Sequence, residues 1–358
     1  PPYDRPPLSK QFLRGEWNEE RIRLHDDDEL AALELSWVSG AATDLDVENR
    51  IVRVGESEYG ADAVVIATGA SPRRLPGTPR ASGVHLLRSI DDARSLRDDL
   101  ADDEKTVVVV GAGFIGSEVA AVAAEQGHIV TILEAGPAPL QRGLGERIGL
   151  LCGSLHAEHG VDLRLSTPVA EVLTDAGPDG RSLTGVRLST GEILSADILV
   201  IGIGVVPNVG WLEDSDLHVD DGVVCNAHCE AAPHIYAAGD CARWYNPRFD
   251  ELMRVEHWDN AVQQGMYVAG RILGGDDPYA PVPWFWSDQY EHKIQLAGRP
   301  QAEDTVEIVA GSPDANRFAA IYGRGGRLTG VFGLNRPRHV ITYRRLITEG
   351  ASWQDALD

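Results

Sequence analysis

Apolar and polar positions change period several times along the chain, and each change marks an element. Residues 106–134, TVVVVGAGFIGSEVAAVAAEQGHIVTILE, open on a β-branched run and pass through a glycine turn into an alanine-rich apolar stretch. A break at Gly127 leads to a second β-branched run ending at Leu133. A continuous apolar run bounded by turn residues reads as a strand buried on both faces, so this stretch predicts a βαβ unit. Shorter alternating segments at 35–38, 44–46 and 51–54 predict small antiparallel strands. A loop and a helix are expected over 11–33. A charged helix should end near Leu100, amphipathic helices should cover 143–159 and 256–273, and strands over 161–200 should turn at 175–180 and at Thr190-Gly191.

One apolar pattern occurs twice. ADAVVIATG at 61–69, with Pro72 three residues on, returns as ADILVIGIG at 196–204, with Pro207 three residues on. Each copy is an Ala-Asp pair, a buried strand, a glycine turn and a proline, which predicts two related dinucleotide-binding halves. Shifting Gly111 back by the same offset of 135 falls before Pro1. The first half's own phosphate-binding unit is therefore expected in a preceding segment of roughly thirty residues or more.

Chemistry enters at the turn of the predicted βαβ unit. Gly111, Gly113 and Gly116 form G-x-G-x-x-G, with Phe114 and Ile115 between the last two. In such a turn the first glycine permits the bend, the second admits a pyrophosphate and the third lets helix and strand pack closely. The phosphates would meet free N–H groups at the helix N-terminus. Glu134 ends the second strand 18 residues after Gly116, where an acid accepts from both ribose hydroxyls and repels a 2′-phosphate, so NADH is expected over NADPH.

Composition narrows the class. The 358 residues carry a formal net charge of −23, which argues against a general affinity for nucleic acid. No apolar run reaches membrane-spanning length. Cys152, Cys225, Cys229 and Cys241 are too scattered for a disulfide framework, and a cytoplasmic setting is expected. Cys225, His228 and Cys229 lack a second ligand pair, so no metal site is assigned. Lysine is confined to Lys10, Lys105 and Lys293, which makes each one worth a role.

The two halves, the opening PPYDRPPLSK, the run IYAAGD ending at Asp240 and the stretch FWSDQYEHKIQLAG at 285–298 together resemble the FAD-dependent NAD(P)H ferredoxin reductases that serve Rieske oxygenases and bacterial cytochromes P450. The resemblance spans the chain. It implies an α/β fold of two Rossmann-like dinucleotide-binding domains, the NAD domain inserted in the FAD domain, plus a small α+β C-terminal domain. The expected pieces are 1–83 and 208–281 for the FAD domain, 84–207 for the NAD domain and 282–358 for the last.

By the same resemblance the cofactors are FAD and NADH, and the partner is a [2Fe–2S] ferredoxin. Lys10 and Glu118 would pair beside the flavin ring, and Trp258 would border the nicotinamide; these three are the expected catalytic residues. Arg5, Gly239 and Asp240 would face FAD, with the strand-end turns at Ala67, Thr68 and Gly69 and at Gly202 and Gly204 lining the two nucleotide sites. Glu256 and His257, just before Trp258, belong to the same cofactor-binding stretch, with Glu256 contacting the nicotinamide amide, and Trp286 and Gln289 approach the flavin from the C-terminal domain. No cysteine stands near Pro7 to Lys10, where disulfide reductases of this architecture place a redox pair. Between Arg317 and Arg345 lie seven arginines and no acid, an expected docking stretch for an acidic ferredoxin. An NADH-sensing flavoprotein of apoptosis-inducing-factor type and an NADH oxidase are the alternative functions.

Overall fold

A computed structural model describes all residues except Pro1, Asp102, Pro178 and Asp179. The central sheet is five-stranded and parallel. Its order is Val84–His85, Ile198–Ile201, Thr106–Val110, Ile129–Leu133, Asp162–Arg164. Thr106–Val110 lies in the middle because it is apolar on both faces. Val107 and Val109 pack with Val119, Ala120 and Ala123 of the helix Phe114–Glu125, and with Leu96 and Leu100 of Ile90–Leu100. Val108 and Val110 point the other way, into Val172, Val186 and Leu188 of the antiparallel meander formed by Val169–Gly177, Gly180–Leu188 and Ile193–Ser195. Period-two alternation thus feeds two cores from one strand. The predicted turn over 175–180 lies partly outside the described residues.

A second unit joins the two ends of the repeat. Val64–Ile66 runs parallel to Ile235–Ala237, which pairs antiparallel with Glu230–Ala232. Beyond each repeated glycine the chain extends as Ala70–Pro72 and Val205–Pro207, and these two segments pair antiparallel with each other. The repeat therefore meets itself at the crossing between units. Asn208 reinforces the crossing: its Nδ2 donates to the Thr68 carbonyl at 2.9 Å, and Thr68 Oγ1 donates to the Asn208 carbonyl at 2.7 Å.

The C-terminal sheet is antiparallel, in the order Trp284–Gln289, His292–Gly298, Arg327–Leu334, Arg317–Arg324, Thr305–Ser312. One face packs on its own helix Pro337–Glu349 through Val340 and Ile347. The other seats Ile294, Leu296, Phe318 and Phe332 against Leu144, Ile148, Cys152 and Leu155 of the long helix Gln141–Glu158. Tyr322 donates to the Leu144 carbonyl at 2.9 Å across this junction. No helix among the described residues is long and apolar enough to cross a membrane.

The structure corrects one predicted element. Residues 35–38 form no strand, and antiparallel pairing begins instead with Ala42–Asp46, Ile51–Val54 and Ser57–Gly60. Leu35, Trp37 and Val38 are exposed, so their alternation meets neither a partner strand nor a core. Alternation alone makes no strand without a neighbour to complete its hydrogen bonds.

Candidate nucleotide and flavin site

The glycine turn shows which of its members the fold requires. Gly111 has φ of 99°, and a Cβ there would stand 2.5 Å from the Gly202 carbonyl oxygen. A Cβ on Gly116 would stand 2.1 Å from the Gly111 oxygen. Gly113 differs, since the nearest atom to its Cβ would be the Gly202 oxygen at 3.8 Å. It caps the helix Phe114–Glu125 with no side-chain acceptor, leaving the N-terminal amides open to an anion. The turn sits at the end of the central strand with neighbours on both sides, where open α/β sheets bind ligands. Glu134 closes the loop: Oε2 accepts from Ala112 N and Oε1 from Gly136 N, both at 2.8 Å. Each carboxylate oxygen keeps a second lone pair for a ribose hydroxyl. Ile115 is exposed beside the turn, and Phe114 packs edge-on against Phe285 at 4.4 Å between ring centres.

Lys10 and Glu118 meet although 108 residues separate them. Lys10 Nζ donates to Glu118 Oε2 at 2.9 Å, and their side chains are only 5% and 3% exposed. The opening segment reaches this point because Leu8, Phe12 and Ile22 pack against Ala93 of the charged helix, burying Pro7, Ser9 and Lys10 beside them. Two hydroxyls add to the carboxylate's partners. Ser9 Oγ donates to Oε2 at 2.5 Å, and Ser287 Oγ, from the first C-terminal strand, donates to Oε1 at 2.6 Å. A buried ion pair survives only when its remaining polar atoms are so satisfied.

Trp286, next in sequence to Ser287, belongs to a cluster of aromatic side chains. Trp258 begins the helix Trp258–Ile272, its indole N–H donating to Asp4 Oδ1 at 3.0 Å. Trp286 meets it edge-on at 6.1 Å and stacks on Trp284 at 5.3 Å. His257 lies against Phe285 at 4.6 Å, and desolvation, with a contribution from Arg299, pushes its pKa down to about 4. Glu256 is exposed and bonds Arg254 at 2.7 Å. Gln289 is buried and donates to Ser287 Oγ at 3.2 Å.

A second cluster forms at the repeated turn. Asp240 Oδ2 accepts from Arg88 Nη2 at 2.5 Å, and Gly239 N donates to Gln264 Oε1 at 2.9 Å. A Cβ on Gly69, where φ is 66°, would come within 3.5 Å of Arg88 Nη2 and 3.9 Å of Arg5 Nη1. Two guanidinium groups thus flank a glycine, and Arg88 Nε is buried without a partner. Ala67 and Thr68 are exposed beside it, as Gly204 is at the matching turn, while Gly202 backs the phosphate loop. Donors facing a side-chain-free backbone, with a carboxylate beside them, fit a diphosphate and a polyol chain. Arg88 was not among the residues picked from sequence; its only signal was a lone arginine before a helix cap.

The arginine stretch divides. Arg324 lies 3.6 Å from Asp304, Arg344 3.8 Å from Asp259 and Arg345 3.7 Å from Glu349. Arg317, Arg327 and Arg338 are exposed. All four cysteines are buried and free, and desolvation raises Cys152 and Cys229 to about 12 and Cys225 upward as well. Thiols held protonated in this way are poor nucleophiles.

A glycine loop open to a nucleotide, and a buried lysine–glutamate pair at the seam of three units, define a pyridine-nucleotide-dependent oxidoreductase. The chain belongs to the pyridine nucleotide-disulphide oxidoreductase family, whose model matches residues 1–265, and a reductase C-terminal model matches 284–357. The family uses FAD and NAD(P)H. The chain is 38% identical to rhodocoxin reductase of Rhodococcus erythropolis, over 97% of this chain and 81% of that protein. It is 36% identical to the ferredoxin–NAD(+) reductase component of the anthranilate 1,2-dioxygenase system of Burkholderia cepacia, over 98% of this chain and 86% of that one. Among solved structures, the covalent putidaredoxin reductase–putidaredoxin complex superposes with a TM-score of 0.93 at 32% identity, covering 100% of this chain and 87% of that one.

Proposed function

We propose that this chain is an NADH-dependent flavoprotein reductase that passes electrons through FAD to a [2Fe–2S] ferredoxin serving a P450 or Rieske oxygenase. The observation that carries the reading is the buried Lys10–Glu118 pair, which ties the opening segment to the helix that follows the glycine loop. Similarity over nearly the whole chain to the reductase component of a dioxygenase system and to the ferredoxin reductase of the CYP199A2 system supports the same conclusion. Bound FAD supplies the step no side chain can, taking up a hydride and releasing electrons one at a time to an iron–sulfur partner.

The protein's own residues bind and orient. The open amides after Gly113 take the dinucleotide phosphates, and Glu134 takes the ribose hydroxyls, which disfavours a 2′-phosphate. Arg5 and Arg88, both close to Gly69, would hold the flavin phosphates, and Asp240 would accept from the polyol chain. The Lys10 ammonium, held by Glu118, would lie at the ring end, where it favours added negative charge. The units follow the divisions 1–83 with 208–281, 84–207 and 282–358. Four buried thiols, three of them with raised pKa values, disfavour dithiol chemistry and suit a reducing cytoplasm.

The test is NADH-driven reduction of cytochrome c at many turnovers, with and without a [2Fe–2S] ferredoxin. Ferredoxin should accelerate it strongly, NADH should outperform NADPH in kcat/KM, and Glu134→Ala should narrow that preference. Rapid oxygen consumption that ferredoxin does not redirect would mean an oxidase, and slow turnover with every acceptor would mean a nucleotide sensor.

A further inference from the structure

The hydrogen-bond network around Glu118 reaches one step further than the lysine pair. Oε2 already receives Ser9 and Lys10, so the orientation of the carboxylate depends on what holds Oε1. That partner is Ser287, fully buried, whose hydroxyl donates at 2.6 Å. Ser287 is oriented in turn by Gln289 Nε2 at 3.2 Å, leaving Gln289 Oε1 buried with no partner. The terminal torsion of a glutamate is soft, and without a donor on Oε1 the carboxylate can turn and share Ser9 and Lys10 between its oxygens. Successive strand residues point to opposite faces, so the strand that sends Ser287 to Glu118 sends Trp286 to Trp258.

We propose that Ser287 is a positioning residue for Lys10: by holding Glu118 Oε1 it fixes the carboxylate, and through it the ammonium group beside the flavin. This rests on the functional reading above. It also gives the C-terminal unit a part in the reduction step, because the hydroxyl that sets the lysine lies next in sequence to Trp286. The ammonium stays where negative charge accumulates only while three parts of the chain remain docked on one carboxylate.

Two measurements on the full chain test this. In the FAD-free protein, the Glu118 carboxylate stretch is assigned in the infrared as the band lost in Glu118→Gln. It should shift in Ser287→Ala and return to its original position in Ser287→Thr, which keeps the hydroxyl. In the FAD-loaded protein, single-turnover hydride transfer from NADH should slow roughly tenfold in Ser287→Ala, as loss of one charge-assisted hydrogen bond implies, with NADH affinity unchanged. Ser287→Thr should recover most of that rate. An unshifted Glu118 band in Ser287→Ala, or equal slowing of the Ala and Thr variants, overturns the proposal. If NADH fails to reduce the unmutated, FAD-loaded protein, the functional reading fails, and the infrared comparison judges the positioning role alone.

Discussion

Replacing Lys10 by methionine removes a buried charge at nearly constant volume. What remains is a Glu118 carboxylate, 3% exposed, whose close donors among the described residues are Ser9 and Ser287. Breaking a buried pair by deleting one partner costs about 3–5 kcal/mol, because the other charge is left uncompensated. Each retained hydroxyl donor is worth about 1 kcal/mol, which puts the expected loss at the lower end, about 3 kcal/mol. Neutralising both partners in Lys10→Met with Glu118→Gln should cost only about 1 kcal/mol, because no charge is then stranded. The assay is guanidinium unfolding of the full chain and its three variants, followed by circular dichroism, with the pair's interaction taken from the double-mutant cycle. A coupling of about 2 kcal/mol or more is expected, and one below about 0.5 kcal/mol would refute the argument that this pair is buried and charged.

Three further outcomes follow from the same geometry. Gly113→Ala should leave the unfolding midpoint unchanged while weakening NADH binding, since its Cβ has room in the fold but would crowd the open helix N-terminus where phosphate is expected; Gly116→Ala should destabilise the fold, its Cβ falling 2.1 Å from a carbonyl oxygen. His156, held to Tyr290 at 2.8 Å, and His257 both have pKa values lowered from 6.5 to about 4 by desolvation. The unfolded chain therefore binds more protons, so stability should be full above pH 6.5 and fall as pH drops towards 4, and His156→Gln should flatten that slope in denaturation measured across the window. Charge reversal at Arg338, which is exposed, together with Arg336, should slow ferredoxin reduction far more than reduction of a small dye, with a difference that shrinks as salt rises; equal slowing of both acceptors would remove this stretch from the docking surface.

The βαβ unit was legible because its information is local. A β-branched run, three glycines, a small-residue helix and a terminal acid all lie within 29 consecutive positions, and backbone sterics alone demand Gly111 and Gly116. The repeat was legible for the same reason, since each copy is one strand and its turn. Local pattern failed at residues 35–38, where alternation lacked the partner that makes a strand. It also could not decide which partners long side chains would choose. Arg88 reaches Asp240 across 152 positions, and Ser287 reaches Glu118 across 169. A lone arginine or serine carries no periodic signal, and its partner is selected by the docking of whole units. Lys10 and Glu118 were picked out by resemblance and by the scarcity of lysine, but tertiary packing alone makes them a buried pair: Leu8, Phe12 and Ile22 fold the opening segment onto the charged helix, and burial turns a solvated lysine into one held against a carboxylate.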